Sequence, residues 1–554
     1  LNALHASAEF GLARAYQRLG DTARGRQHLA RFQQLTQEKL SAPLGLAYGE
    51  QGTYSLAEQV IPPAGAVPSA IPVRFVEVAA EAGLRFEHGS TGSTEADPAE
   101  TDLVARTPAG LSGSGACFLD FDRDGRQDLF VVNSGKEAPS TLFRNAGDGR
   151  FAEVTRAARL EARGHGMGCT AGDYDNDGWI DVAVSFFGRV ALYHNQGDGT
   201  FREVTEAAGI RTDGFLTGLT WVDYDHDGDL DLYVSRSFFP RRDSPPPVLW
   251  RNSGTGSFAN QTEASGLGAV GENVTAVATD FNNDRAVDLV ITGRRTAILV
   301  NPREGAFRAV EPWAEAMPAP TAGVAVFDFN KDGWMDLAFT HWGKPGLSLW
   351  RNVEGKRYEP QPLAELGGHG WGLVALDYDN DGWVDLAAAG EAEEAERAVI
   401  RLLRNRGPEG FEDVTAAVGL DDVKLDRPRA LLTADYDGDG DTDLLVTQNR
   451  GPLVLLRNDG GSKNGWLRVT LRGLADNKSA IGTKVEVFAG GLWQKWELQA
   501  GGGYLGQSAL EVTAGLGNAR EAEVVRLLWP TGVLQDEVQL AARASPQCTR
   551  KRRT

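Results

Sequence analysis

One acidic pattern dominates the chain. Asp-x-Asp/Asn-x-Asp-Gly-x-x-Asp starts at Asp120, Asp173, Asp223, Asp280, Asp328, Asp377 and Asp435, at steps of 53, 50, 57, 48, 49 and 58 residues. A fixed period of this length marks a repeat architecture, in which each unit is one supersecondary element that buries its apolar faces only against its neighbours. Each unit reads the same way. A Gly-rich apolar stretch (Gly113 to Leu119) leads to the acidic loop, and an apolar run (Leu129 to Val132) follows it. Next comes an aromatic or aliphatic residue before Arg-Asn (Phe143-Arg-Asn145, Trp250-Arg-Asn252, Trp350-Arg-Asn352, Leu456-Arg-Asn458), then a Gly-Asp-Gly turn into Phe-x-x-Val-Thr (Phe151 to Thr155, Phe201 to Thr205). Four short strands per unit, seven times over, predict a mainly β protein built on a seven-bladed β-propeller. The seventh unit lacks its last strand, while an orphan copy, Phe75-Val-Glu-Val-Ala79, precedes the first. That N-terminal strand is expected to complete the last blade and so remove the open sheet edges.

The predicted organisation is a helical pair at 1–40, a Pro-rich linker at 41–73, the propeller at 74–460, a small antiparallel β domain at 461–542 and a basic solvated tail at 543–554. Leu12, Ala13, Tyr16, Gly20, Gly25 and Leu29 have the spacing of one tetratricopeptide repeat, which offers a surface for a protein partner. Alternating stretches such as Trp466 to Leu471 and Lys484 to Phe488 mark the C-terminal strands.

Three carboxylates at alternate positions repel one another unless a cation sits among them. Calcium takes six to eight oxygen ligands, and a tight loop supplies them from positions 1, 3, 5 and 9 with a backbone carbonyl near 7. Those side chains are Asp120, Asp122, Asp124 and Asp128; Asp173, Asp175, Asp177 and Asp181; Asp223, Asp225, Asp227 and Asp231; Asp280, Asn282, Asp284 and Asp288; Asp328, Asn330, Asp332 and Asp336; Asp377, Asp379, Asp381 and Asp385; Asp435, Asp437, Asp439 and Asp443. Up to seven Ca²⁺ are therefore expected. The fourth loop is the weakest, because Asn282 removes a charge and Arg285 replaces the turn glycine, at a backbone cost of about 1 kcal/mol. Loops that lack the bidentate glutamate of an EF-hand suit Kd values on the order of 0.1–1 mM. Cytosolic calcium would leave such loops empty, so a secreted, periplasmic or cell-surface location is expected. The alternative is that Asp and Gly only serve ordinary turns.

The net charge of −20 argues against nucleic acid as a partner, and no apolar run is long enough to span a membrane. Cys117, Cys169 and Cys548 form neither a disulfide framework nor a zinc pattern. The chain starts with Leu and has no basic-then-apolar leader, which suggests a fragment or a processed form. On the face opposite the acidic loops the candidate ligand residues are His165, His369, Trp371, His341, Trp342, Arg427 and Arg429, with the Ser90 to Ser114 insertion and the Arg236 to Pro247 connection beside them.

The acidic loops within fifty-residue units resemble the FG-GAP/VCBS repeats of the integrin α-chain propeller. Ile481-Gly-Thr, Gly501-Gly-Gly-Tyr-Leu-Gly-Gln-Ser508, Gly515-Leu-Gly and Trp529-Pro-Thr-Gly532 resemble the ASPIC/UnbV domain that follows such repeats in cartilage acidic protein-like proteins. The resemblance implies a calcium-binding, adhesion-type module for protein or glycan. The alternative it implies is an enzyme acting on polysaccharide or a secondary metabolite, since some calcium propellers cleave glycans and UnbV-type proteins accompany enediyne biosynthesis. No nucleophile elbow, P-loop or metalloprotease helix occurs, and the catalytic residues of such an enzyme are unassigned.

Overall fold

The computed structural model describes Tyr16 and residues 22–37, 67–88, 113–135, 139–237, 246–303, 305–392, 397–449, 451–474 and 477–550. Residues 1–60 form one compact unit and 61–554 another. In the first, Thr22–Gln37 is helical and Tyr16 stacks on His28 at 5.4 Å. The other positions of the tetratricopeptide reading, most of the linker, most of the Ser90 to Ser114 insertion and 238–245 lie outside the described residues.

The second unit contains seven successive four-stranded antiparallel sheets, one per acidic repeat. Their first strands are Ala116–Leu119, Gly166–Gly172, Phe215–Val222, Ala276–Thr279, Thr321–Phe327, Gly368–Leu376 and Pro428–Ala434. Each packs against the first strand of the next sheet, and the seventh packs against the first, so the ring closes as propeller blades do. The orphan N-terminal strand does complete the seventh sheet, with Phe75 opposite Asn458 and Glu77 opposite Leu456.

The Asn that stands near the end of the third strand of each blade, after Arg in five of them, after His194 in the second and after Val300 in the fourth, explains the regularity. Its amide nitrogen donates to the carbonyl of the aromatic residue in the preceding blade's acidic loop: Asn195 to Phe121 at 2.8 Å, Asn252 to Tyr174 at 2.7 Å, Asn405 to Phe329 at 2.8 Å and, across the closure, Asn145 to Tyr436 at 2.7 Å. The same bond recurs at Asn301, Asn352 and Asn458. Buried carbonyls need a donor, and this one staples every blade to its neighbour. The interfaces are otherwise mainly apolar, built on residues such as Phe121, Phe130 and Phe201 between the first and second blades, with buried hydroxyl bonds such as Ser185 Oγ to Thr217 O at 2.6 Å and Thr340 Oγ1 to Trp371 O at 2.8 Å.

The C-terminal domain has its own core around Leu467, Val485, Val525, Leu527 and Trp529. It differs from the expected all-antiparallel domain. Thr470–Arg472 pairs in parallel with Gln547–Thr549, and Cys548 is buried, so a segment read as solvated tail is a strand of the domain. The apolar residues of that strand are too few to show in its basic surroundings.

Two features join the domain to the ring. It caps the acidic-loop face: Ser479 Oγ accepts from Asp173 N, Asn464 donates to Asp379 O, Lys495 reaches Gly333 O at 2.7 Å and Arg468 pairs with Asp435 at 2.9 Å. From the cap the loop Ala500–Ala509 runs down the central channel. Its backbone bonds to Ala116 and Phe118 of the first blade, Val324 of the fifth and Thr433 of the seventh. Gln507 accepts from Thr170 Oγ1 (2.5 Å) and Ala171 N (3.0 Å) and donates to Ala171 O (3.1 Å). Glycines on both sides permit this approach. A Cβ on Gly115 would stand 2.1 Å from Leu505 O, and one on Gly323 would stand 2.6 Å from Gly503 O. The Gly-rich stretch before each acidic loop is thus the wall of a filled channel.

Candidate functional site

The seven acidic loops share one construction. The carboxylate at position 1 accepts from the backbone N–H groups of positions 5 and 6, as Asp377 does from Asp381 (3.0 Å) and Gly382 (2.8 Å). The carboxylate at position 5 accepts from the N–H of position 7, as in Asp177 with Trp179 at 2.8 Å. Position 9 is anchored on both oxygens in six loops, as Asp181 takes Asn195 N at 2.8 Å and Tyr174 N at 3.2 Å; in the fourth, Asp288 takes only Asn301 N at 2.7 Å and its Oδ2 is buried with no hydrogen-bond partner. Position 6 is left-handed throughout, with Gly125 at φ 83°, Gly382 at φ 90° and the exceptional Arg285 at φ 69°. Glycine adopts this conformation freely and arginine does not.

These bonds fix positions 1, 5 and 9 around the side chain at position 3, which holds the diagnostic atoms. Asp122 Oδ1, Asp225 Oδ1, Asp379 Oδ1 and Asp437 Oδ1 are buried with no hydrogen-bond partner. The outer oxygens of three of these residues are covered by the arginine of the Arg-Asn pair: Arg144 bonds Asp122 at 2.5 Å, Arg251 bonds Asp225 at 2.5 Å and Asp227 at 2.8 Å, and Arg404 bonds Asp379 at 3.1 Å and Asp381 at 2.7 Å. Potential ligand atoms of positions 1, 3 and 9 lie within 4.8 Å of one another in Asp120/Asp122/Asp128, Asp223/Asp225/Asp231 and Asp377/Asp379/Asp385, and those of positions 1, 3 and 5 in Asp173/Asp175/Asp177. Burial raises these acids, and neighbouring carboxylates raise them further: Asp128 and Asp173 to about 8, Asp379 to about 7, Asp385 well above its ordinary range. Clustered, orphaned, buried oxygens of a hard type fit a divalent cation such as Ca²⁺, which would satisfy the unpaired lone pairs and remove the repulsion.

Two loops depart from this pattern. In the second, His194 Nδ1 lies 3.3 Å from both Asp175 and Asp181, in the place that Arg144, Arg251 and Arg404 take in the first, third and sixth. In the fourth, the ammonium of Lys484, from the C-terminal domain, sits 2.5 Å from Asp280 Oδ2 and 3.3 Å from Asn283 Oδ1. Nothing in the local sequence of that loop announces a lysine two hundred residues away.

On the opposite face the predicted residues divide. Trp371 gathers Trp342 at 6.0 Å, His369 at 6.2 Å, the Arg429 guanidinium at 5.1 Å and Tyr504 of the channel loop at 5.5 Å. Arg429 also pairs with Glu391 at 3.1 Å. Arg427 is exposed at the edge, and His165 is half-buried in the second blade, 3.4 Å from Ser134 O. His341 must be corrected. It is fully buried, 2.6 Å from Ser348 Oγ and 3.0 Å from Ala319 O, and burial lowers it to about 4, so it is a neutral core histidine that no ligand reaches. Tyr504 is the residue that local pattern missed, because only the channel insertion brings it here.

Residues 120–184, 173–234, 280–339, 328–388 and 377–446 match the FG-GAP-like repeat, and residues 473–551 match ASPIC and UnbV. Neither match reaches the helical segment. The chain is 25% identical over 310 residues to cartilage acidic protein 1 of Xenopus tropicalis, which covers 54% of this chain and 40% of that protein. It is 26% identical over 227 residues to cartilage acidic protein 1 of Mus musculus, covering 38% and 34%. The chain therefore spans two-fifths or less of the length of these curated relatives. Similar solved structures include the rhamnogalacturonan lyase YesW (14% identity, 70% of this chain and 76% of that one, TM-score 0.37) and the V. cholerae biofilm matrix protein Bap1 (10%, 78% and 73%, TM-score 0.32). None of these scores reaches 0.5, and no property of those proteins is carried over. The five overlapping repeat matches span about half of the chain, which thus belongs to the FG-GAP-like repeat family and carries a C-terminal ASPIC and UnbV domain.

Proposed function

We propose that the chain is a calcium-loaded, integrin α-like seven-bladed propeller that works outside the cytosol as a binding module for protein or glycan. The ions serve structure. The C-terminal domain caps the loop face, which leaves the opposite face for a ligand. The observation that carries this reading is the cluster at the far end of the channel, where Trp342 meets Trp371 edge to face and His369 stacks on Trp371, with Trp371 and Arg429 buried beneath and Trp342 and His369 half-buried at the surface. A half-buried indole beside an imidazole suits the ring face of a sugar or the side chains of a protein loop. Because Ala500–Ala509 fills the channel, the ligand binds across the mouth and not within the ring.

A glycan array and a protein-ligand screen, each run in calcium and in chelator, test this. Binding in calcium that Trp342→Ala abolishes, with the melting temperature of the variant held within a few degrees, is the expected result. Binding that survives Trp342→Ala together with Arg427→Ala moves the ligand to another surface, and turnover of a bound saccharide would replace the module by an enzyme.

A further inference from the structure

Cys117 and Cys169 lie on the first strands of the first and second blades, both buried, with their sulfur atoms 2.7 Å apart. That is closer than two unbonded sulfurs rest. The pairing follows from the ring. Cys117 stands three residues before Asp120, and Cys169 stands four before Asp173. The same two positions meet at other blade interfaces: Val277 with Val324, Ala325 with Leu373, Val374 with Leu431 and Leu432 with Ala116 each share one apolar cluster. Cys117 and Cys169 occupy the corresponding cluster between blades one and two. The third cysteine, Cys548, is in the core of the C-terminal domain and has no cysteine neighbour among the described residues.

We propose that Cys117 and Cys169 form a disulfide that locks the first blade to the second. Each thiol loses a proton, the two sulfurs join, and the electron pair passes to a disulfide donor, whose own sulfur–sulfur bond is reduced to two thiols. The exchange takes place while the ring is still opening and closing, because the folded interface admits no reagent and burial holds the Cys169 thiol well above its ordinary range, where little thiolate exists to attack. Once formed, the bond ties strands that also carry the channel loop, since Cys117 is bridged to Gln507. In the cell the step needs an oxidising compartment and to that extent rests on the location proposed above.

The test has two arms. Reduced protein is refolded with a glutathione redox couple, denatured, and its thiols are titrated. One titrating thiol, a mass lighter by two hydrogens and a peptide joining Cys117 to Cys169 are expected, and Cys548→Ala should leave no titrating thiol. Three titrating thiols after refolding overturn the proposal. Cys117→Val with Cys169→Val copies the pair at the fourth and fifth blades and keeps the interface packed; its unfolding midpoint should be insensitive to reductant, whereas that of the oxidised parent should fall when reductant is added. The second arm takes the protein directly from its cells, whole, with thiols blocked at lysis. A cross-link on refolding with free thiols in the protein taken from the cell would keep the bond and overturn the compartment.

Discussion

Replacing Gln507 by alanine tests whether the channel loop holds the molecule together. The side chain makes three buried hydrogen bonds, at 2.5, 3.0 and 3.1 Å, all to Thr170 and Ala171 on the second blade. Truncation leaves the Thr170 hydroxyl and the Ala171 N–H and C=O with one partner fewer in a site closed on every side. An orphaned buried group costs about 1–3 kcal/mol, and the vacated volume adds to that, so a loss of about 4 kcal/mol is expected. Because the loop bridges ring and cap, the loss should appear in one cooperative transition. The assay is urea unfolding followed by tryptophan fluorescence and by far-UV circular dichroism, with coincident curves for the parent and a lower common midpoint for Gln507→Ala. A loss below about 1 kcal/mol, or a cap that unfolds alone while the ring transition stays put, would refute the plug as a structural element.

Two further outcomes follow from the acidic loops. Lys484 already supplies a cation to Asp280, so native mass spectrometry in calcium should find no more than six bound ions, and Lys484→Gln should cost about 3 kcal/mol by stranding a buried carboxylate; a seventh ion in the parent would refute the substitution. In chelator the protein should lose stability as pH rises from 6.5 to 8.5. Asp128, Asp173 and Asp288 are raised to about 8, 8 and 9 in the fold, so the native state binds protons there that the unfolded chain has released. Each such carboxyl removes up to about 1.4 kcal/mol per pH unit; His88 and His341, lowered to about 3 and 4, are neutral in the fold and oppose this slope only near pH 6.5, where the unfolded imidazoles are still partly protonated. Calcium should flatten the slope, because carboxylates that hold an ion carry no proton to lose, and thermal melts whose pH slope is the same in calcium and in chelator would sink the cation reading.

The ring was legible because its signal is local and repeated. Seven copies of one loop outweigh any ambiguity in one copy, and the missing seventh strand could be matched to the orphan at Phe75 because both carry the same five-residue pattern. The position 9 aspartates read as ligands for the same reason, but sequence spacing cannot show that two backbone N–H groups already hold every one except Asp288. The channel loop was not legible: Gly501 to Gly503 reads as a flexible turn until Gly115, Gly168 and Gly323 on three facing strands are seen to leave room for its backbone. The cysteine pair lay between these cases. Its separation of 52 residues is one less than the 53-residue step between the first two loops, which in a ring already sets the residues side by side.

The cap changes what the ions do. In a ring with a free loop face, each ion would stabilise one blade and each blade would report only its own ion. Here Asn464 and Gly517 bond to carbonyls or amides of the sixth loop, Lys478 to Asn176 of the second, Arg468 to Asp435 of the seventh and Lys495 to Gly333 of the fifth. A loop whose carboxylates spread apart on losing its ion moves those same atoms. If the loops hold ions and the mouth binds a ligand, as proposed, ion loss from any one of these loops is expected to loosen the seat of the C-terminal domain and, through Ala500–Ala509, the packing beneath Trp371 at the opposite face. Ligand affinity at the mouth should then fall in chelator, and an affinity that chelator leaves unchanged would refute the linkage.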